Sequence, residues 1–575
     1  MSDTTTQTSI SPNKRRSLLA LASLIGGLIV FNTIIQFIPF HIQWDATGDK
    51  RFSLTNATKK MVREFKDDLT IECYLEGEFP AGFQRLQTAL KDLLNDMRSQ
   101  NAHIQYNFVN PAKGDVQAIN TIREGLKKDG IFPVNLSVKS ADKTEEKLIF
   151  PYAKVFYKGS HVVVSLLENQ TAGMSQDVIL NNSLSLLEYK IANAISKLQA
   201  KDMPVIAFTE GHGELNMYET FDLEKTLKEF YITTRINLDS VVNINTKIKC
   251  LIVARPRSKF SEKDQFKLDQ YVMNGGKIVW SIDRISVATD SLMGRKEFIP
   301  SDYILDLDPI LFKYGMRVNP NIVLDLACSR VPLAVGMVGN KPQFELRPWY
   351  YHVLSFPRSP HPIVKNLDAI QLYFPSTIDT VNIKTNIKRT VLLTSSETSR
   401  LQYLPLTLDL NIARAQPNPK DFPKQFQPVA VLSEGVFPSL FQNRVTPEMQ
   451  ATLAELKTPF KGESVRTKMV LIADGDVMAN DANPAQQSYK PLGMNKYEKY
   501  MFTNKAFMLN VIEYLMDNNG VMEARGKEVK LRLLSKQRVK DDKNFWKILN
   551  VGLPLLLLLA FGLGFNYWRK RKYAR

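Results

Sequence analysis

The chain has 575 residues, of which 44 % are hydrophobic and 23 % charged, so it is no disordered polymer and has length for several domains of roughly 100–200 residues. Its three cysteines, Cys73, Cys250 and Cys328, stand far apart with no C-x-x-C pair, which excludes a disulfide scaffold and a cysteine zinc site. The net charge of +17 invites a nucleic-acid reading, but much of it gathers beside two apolar runs, at Lys14-Arg15-Arg16, at Arg525 to Lys547 and at Arg569-Lys570-Arg571-Lys572. That placement fits membrane topology and anionic lipid, and no nucleic-acid partner is expected.

In chain order, residues 1–17 form a basic tail, and Leu18 to Ile38 runs for 21 residues without a charge. A helix of about 20 apolar residues crosses the bilayer core. A cleaved signal peptide has an apolar core of only about 7–15 residues and a small-x-small site, whereas this run ends Phe37-Ile38-Pro39-Phe40. An uncleaved anchor is therefore expected over 18–38. Residues 45–200 alternate strand and helix: Leu69–Leu75 alternates as a half-buried strand, Phe83 to Arg98 has helical spacing, His103–Val109 is a strand, and Val116–Lys128 a helix. Two further strands follow near Ala153–Tyr157 and His161–Leu167, then a helix at Leu184–Leu198. This order resembles a thioredoxin-like domain, with Pro133 where that fold often has a cis proline and a lone Cys73 where its redox pair would stand.

A second α/β domain is expected over 201–520. Val205–Phe208, Cys250–Ala254 and Lys277–Trp280 read as buried strands of a parallel sheet, of flavodoxin or glutamine-amidotransferase type. Helices are expected at Tyr218–Phe230 and, capped by Ser261 with Asp264 and closed by Asn274-Gly275-Gly276, before the Lys277 strand. Later strands are expected at Ile322–Leu324, Val391–Leu393, Val429–Leu432 and Met469–Ala473, with a helix at Ala506–Met516. The proline- and aromatic-rich stretches Pro332–Pro375 and Leu404–Pro459 read as long loops or insertions. Residues 521–547 form a basic juxtamembrane segment, 548–568 a second span, and 569–575 a second tail. Two spans put both termini on one side, and the basic flank of the first makes that side the cytoplasm.

Candidate chemistry sits at strand ends, where open parallel sheets bind ligands. Glu210, His212 and Glu214, in Thr209-Glu210-Gly211-His212-Gly213-Glu214, offer a ligand-binding set, although glycines there serve a tight turn equally well. Asp474 and Asp476, with Asp481, offer carboxylates for a hard cation, although turn and cap roles suit them better and the spacing is not that of an EF-hand. Arg255-Pro256-Arg257 occupies the turn where an amidotransferase-like fold places its nucleophile, and no cysteine or serine stands there. There is no G-x-x-x-x-G-K-[ST], no H-E-x-x-H and no G-x-S-x-G, and only six histidines. No catalytic set, metal or cofactor is expected.

Several motifs agree in order with one family. Arg51-Phe52-Ser53-Leu54-Thr55, Thr209–Glu214, Ser261–Trp280 and Ile472-Ala473-Asp474-Gly475-Asp476 resemble the auxiliary, so-called substrate-binding subunits of certain bacterial ABC-type transporters. Lys527–Arg532 and the Asn550–Pro554 opening of the last span resemble the gliding-motility GldG family of the Bacteroidetes. The resemblance implies a non-enzymatic subunit of the inner membrane with a large periplasmic domain. Its implied partners are the bilayer, a GldF-like permease and, through it, a cytoplasmic GldA-like ATPase; a homodimer stays open. The rival reading is a membrane-anchored module that binds, or hydrolyses, a periplasmic ligand or polymer.

Overall fold

A computed structural model describes residues 12–37, 53–139, 144–168, 176–200, 202–287, 297–339, 341–381, 386–455, 458–527 and 540–573. Arg51 and Phe52, most of Lys527–Arg532, Ile38 and the outermost tail residues lie outside them. The chain divides into a unit ending at Ser53 and a second beginning at Leu54. The first unit contains helix α1 (Pro12–Phe37), whose apolar stretch among the described residues is Leu19–Thr33. In the second unit a helix covers Lys543–Tyr573, with Pro554 inside it, and Lys543–Lys572 is long and apolar enough to cross a membrane. Among the described residues that is the one such helix.

The remainder of the second unit is mixed α/β. Its N-terminal part comprises α2 (Asn56–Arg63), β1 (Leu69–Cys73), α3 (Ala81–Gln100), β2 (Ile104–Phe108), α4 (Val116–Lys128), β3 (Val134–Lys139), β4 (Thr144–Ile149), β5 (Tyr152–Tyr157), β6 (Ser160–Ser165) and α5 (Gln176–Gln199). One sheet has the order β2-β1-β5-β6, with β1 parallel to β2 and antiparallel to β5, while β3 and β4 form a separate hairpin. Leu86, Leu90 and Leu94 recur along one face of α3 and pack with Ile71, Val155, Leu187 and Ile191 into one core. The peptide before Pro133 is not cis; the cis peptide of the described chain is Leu404–Pro405.

Part of the segment read from sequence as juxtamembrane belongs to this core. Val521–Gly526 makes a 3-10 turn that buries Val521, Met522 and Ala524 against it. Glu188 of α5 holds the two ends of the domain together. Its Oε1 accepts from the Thr55 amide (2.7 Å) and hydroxyl (2.8 Å), and its Oε2 accepts from the Lys527 ammonium. The residue that opens the domain and the one that leaves it thus share one buried carboxylate.

The larger part begins with β7 (Val205–Glu210), α6 (Phe221–Leu227), β8 (Ile232–Asn237), β9 (Ile248–Ala254), α7 (Glu262–Met273) and β10 (Lys277–Ser281). Its seven-stranded sheet runs Lys388–Thr394, Pro428–Gly435, Thr467–Ile472, β10, β9, β7, β8, and the strands from Thr467–Ile472 to β8 are parallel. The first two are antiparallel additions at one edge. Helices cover both faces, so the parallel strands read as continuous apolar runs. Ile206, Phe208, Ile252 and Val470 face one core with the helix Asn504–Met516, while Ala207, Leu251, Val253 and Trp280 face another with Leu268 and Val272 of α7.

Local chemistry explains α7. Ser261 caps it by accepting from the Asp264 amide and donating to the Asp264 carboxylate (2.5 Å). It ends with Gly275 N–H on the Val272 carbonyl and Gly276 N–H on the Tyr271 carbonyl, a pattern that needs the left-handed Gly275 (φ +88°).

Two expectations are corrected. Helix α6 is a short Phe221–Leu227, because Tyr218–Thr220 is spent on a turn held by the Asn216 side chain. The stretch Pro332–Pro375 is no loop at its start: Cys328–Val338 and Lys341–Ser355 form a long antiparallel ribbon. Pro332, Pro342 and Pro348 fit it because the further partner of the ribbon, Ile370–Gln371, meets only Leu354 and Ser355, which leaves the edges beside these prolines free, where a missing N–H is tolerated. Ile322–Leu324 is a strand, but it pairs with Ser399–Tyr403 outside the large sheet.

Candidate functional site

The sheet order creates one crevice of interest. From β7 the chain passes through α6 to β8 at the sheet edge, then returns to β9 on the other side of β7. The loops after β7 and β9 therefore diverge at their carboxyl ends, the place where doubly wound sheets bind ligands. Glu210 ends β7 and the other site residues read from the sequence lie on these loops or on the one after the strand Thr467–Ile472, yet they do not form one constellation.

Glu210 turns toward β8. It pairs with Arg235 (3.1 Å), whose other nitrogen holds Glu224 (2.6 Å) and the Thr220 hydroxyl (2.6 Å). His212 and Glu214 turn the other way, toward α7. The His212 ring stacks on Phe260 with centroids 3.8 Å apart, its Nδ1 lies 3.5 Å from Glu214 and its Nε2 3.5 Å from Asp264. Its carbonyl accepts from the Arg257 (2.7 Å) and Ser258 (2.9 Å) amides, and Glu214 accepts from the His212 amide (2.6 Å). Burial opposes a charge on His212, but the two carboxylates outweigh it and lift the ring above its ordinary pKa. Burial would raise Glu214 and Asp264, yet hydrogen bonds and the cationic neighbours hold both below theirs. The result is a ring held between two carboxylates that favour its protonated form. Gly211 (φ +111°) and Gly213 (φ +75°) serve the turn: a Cβ on Gly211 would lie 2.9 Å from Asn237.

Asp474 and Asp476 belong to a second cluster, with three groups that no local motif marks: Asp283 after β10, Glu219 before α6 and Tyr373. Buried Asp474 accepts from the Tyr373 amide (2.8 Å) and the Asp476 amide (2.8 Å). Asp283 accepts from the Gly475 amide (2.6 Å), and Ser281 donates to the Asp474 carbonyl (2.6 Å). Burial first, then the Asp476 charge, pushes Asp283 up to about 7; burial and both neighbouring carboxylates raise Asp474 well above the usual range.

Arg255 occupies the elbow after β9. It is a non-glycine residue at φ +55°, a conformation that costs on the order of 1–2 kcal/mol. Its guanidinium fills the crevice, one nitrogen on Asp476 and the other on Glu219 (2.5 Å). Gly475 packs so closely that a Cβ there would lie 2.5 Å from Arg255 Cγ. A recess nearby of about 120 Å³ is lined by His352, Tyr373, Asp481 and Tyr497, well under the roughly 300 Å³ of an ordinary ligand pocket. The strand-end acids thus have backbone amides and arginine as partners. The thiols of Cys73, Cys250 and Cys328 are free and burial pushes each up to about 12, far from a reactive thiolate.

A family model described as an ABC-type uncharacterized transport system matches residues 203–511, more than half of the chain. A domain of unknown function matches residues 48–156. No curated protein matches. Among solved structures, the N-terminal domain of mmIFT52 is 14 % identical, with 55 % of this chain and 98 % of that one covered and a TM-score of 0.29. A ThuA-like protein from Parabacteroides merdae is 12 % identical, with 58 % and 94 % covered and a TM-score of 0.26.

Proposed function

The chain belongs to the ABC-type uncharacterized transport system family, and from that we propose that it is a non-catalytic, membrane-anchored subunit of an ABC-type transporter complex. One observation carries the non-catalytic part. The crevice at the carboxyl edge of the sheet is filled by Arg255 and its two carboxylates, at the elbow where a related fold would hold a nucleophile. An arginine bridging two acids neither attacks a carbonyl nor moves a proton near neutral pH.

The finer reading is that residues 18–38 and 548–568 are two spans, with both termini cytoplasmic and the large α/β part periplasmic. The shared hydrogen bonds of Glu188 to Thr55 and Lys527 support it, because they bring the beginning and the end of that part together, as two neighbouring anchors require. Sheet order β2-β1-β5-β6 supports the thioredoxin-like reading of the N-terminal part, without its redox pair. The GldG resemblance adds gliding motility, with a GldF-like permease and a GldA-like ATPase as partners. Purification from native membranes in mild detergent should retain a multi-span permease and an ATPase; a chain that always emerges alone would contradict the proposal.

A further inference from the structure

The ribbon of Cys328–Val338 and Lys341–Ser355 stands out from the domain as an arm. Between Ala334 and Leu346 every residue whose side chain is described is exposed. Pro342, Phe344 and Leu346 are alternate residues of one strand and therefore share a face. Their cross-strand partners Met337, Ala334 and Pro332 lie on the same face. All three rungs are apolar, with Met337 64 % and Phe344 60 % exposed, whereas Val331 and Leu333 on the other face are buried in the core at the foot of the arm.

Charges lie off these rungs. Glu345 pairs with Arg347 on the other face (2.8 Å), Arg330 approaches Glu498 at the foot (3.9 Å), and Arg414 donates to the backbone carbonyl of Ala334 (3.0 Å). Pro332, Pro342 and Pro348 lack the N–H that an added strand would use, so the arm is poorly made for extending a sheet and better made for covering a face.

Each rung sets a large side chain beside a small or flat one: Leu346 beside Pro332, Phe344 beside Ala334, Met337 beside Pro342. A two-fold axis along the arm, between two copies, exchanges left and right and places every large side chain over the small one of the other copy. The face is complementary to itself, and without charge it meets its own copy without repulsion. We propose that two copies of this chain pack face to face through these three rungs. The exposed apolar surface is on the order of 400 Å² per copy, about half of the roughly 800 Å² per partner in a stable interface, so the contact is weak between free chains. The C-terminal helix, long and apolar enough to cross a membrane, holds copies in one plane and raises their effective concentration. That confinement rests on the membrane-anchored reading; the fit of the two faces does not.

The test is electron–electron distance measurement on the full chain in liposomes, spin-labelled at Gln343→Cys on the other face, with the unsubstituted chain as labelling background. A distinct short distance between labels of two copies is expected. Phe344→Glu, at an exposed position, should abolish it, and Val242→Glu, exposed elsewhere (81 %), should leave it unchanged. Ala334→Phe and Phe344→Ala should each lower the paired fraction several-fold, and the double variant, which swaps large and small, should return it to within about twofold of the starting chain. Flotation with the vesicles reports anchoring separately; for a chain that does not float, the same pattern is expected, at lower occupancy, in concentrated detergent solution. Absence of the short distance in both settings, its persistence in Phe344→Glu, or failure of the double variant to recover it would overturn the proposal.

Discussion

Arg255 is the residue whose surroundings separate the readings of the carboxyl-edge crevice. Its guanidinium is mostly buried between Asp476 and Glu219, and removing one member of such a group leaves charges without partners. Arg255→Met should lower the unfolding free energy by about 2–3 kcal/mol, read by chemical denaturation. If the arginine instead served a reaction, the variant would lose activity at unchanged stability. Asp283 makes a prediction of opposite sign. Its folded pKa, near 7, lies above that of an unfolded aspartate, so the folded state binds the proton more tightly. Stability contributed by that proton is full below about pH 4 and is lost as pH rises toward 7. His212, also raised, loses its contribution over a higher window, from about pH 6.5 upward. Asp283→Asn keeps an oxygen for the Gly475 amide and should therefore raise stability more at pH 7.5 than at pH 5, by a difference on the order of 2 kcal/mol. An equal effect at both values would mean that Asp283 is ionised throughout.

At the scale of elements, what could be read in advance follows from how local the chemistry is. The start and end of α7 are written in adjacent residues, Ser261 with Asp264 and Asn274 with the two glycines, and the structure keeps both. The strands β7, β9 and β10 are legible because burial on two faces demands unbroken apolar runs. The ribbon Cys328–Val338 and Lys341–Ser355 was hidden by its prolines, which usually argue against a strand but are tolerated where no neighbour needs the N–H. The cluster around Asp474 was only half legible. Asp283 and Tyr373 come from chain segments about a hundred residues or more away in sequence and meet Asp474 only through strand order. The same holds for Glu188, which resembles any acid on an amphipathic helix until Thr55 and Lys527 fold against it. Its removal should be felt at both ends of the domain. In Glu188→Ala, backbone hydrogen exchange should quicken together in Asn56–Arg63 and Val521–Gly526 while β7, β9 and β10 stay protected. Quickening of only one of the two segments would show that the shared carboxylate does not couple them.

The whole molecule combines a self-filled sheet crevice, domain ends held together and an apolar C-terminal helix none of whose most apolar stretch is buried. That helix has 31 residues, about 46 Å at 1.5 Å per residue, more than the roughly 30 Å of a bilayer core. A protein so built has its free surface in the membrane and around the domain, which is where a partner would bind. The most direct measurement is quantitative mass spectrometry of the complex purified in mild detergent from native membranes, for the wild type and for Arg255→Lys. The account predicts a permease and an ATPase in fixed ratio to this chain in both preparations. Recovery of the chain alone, or with those proteins at background level, would contradict it.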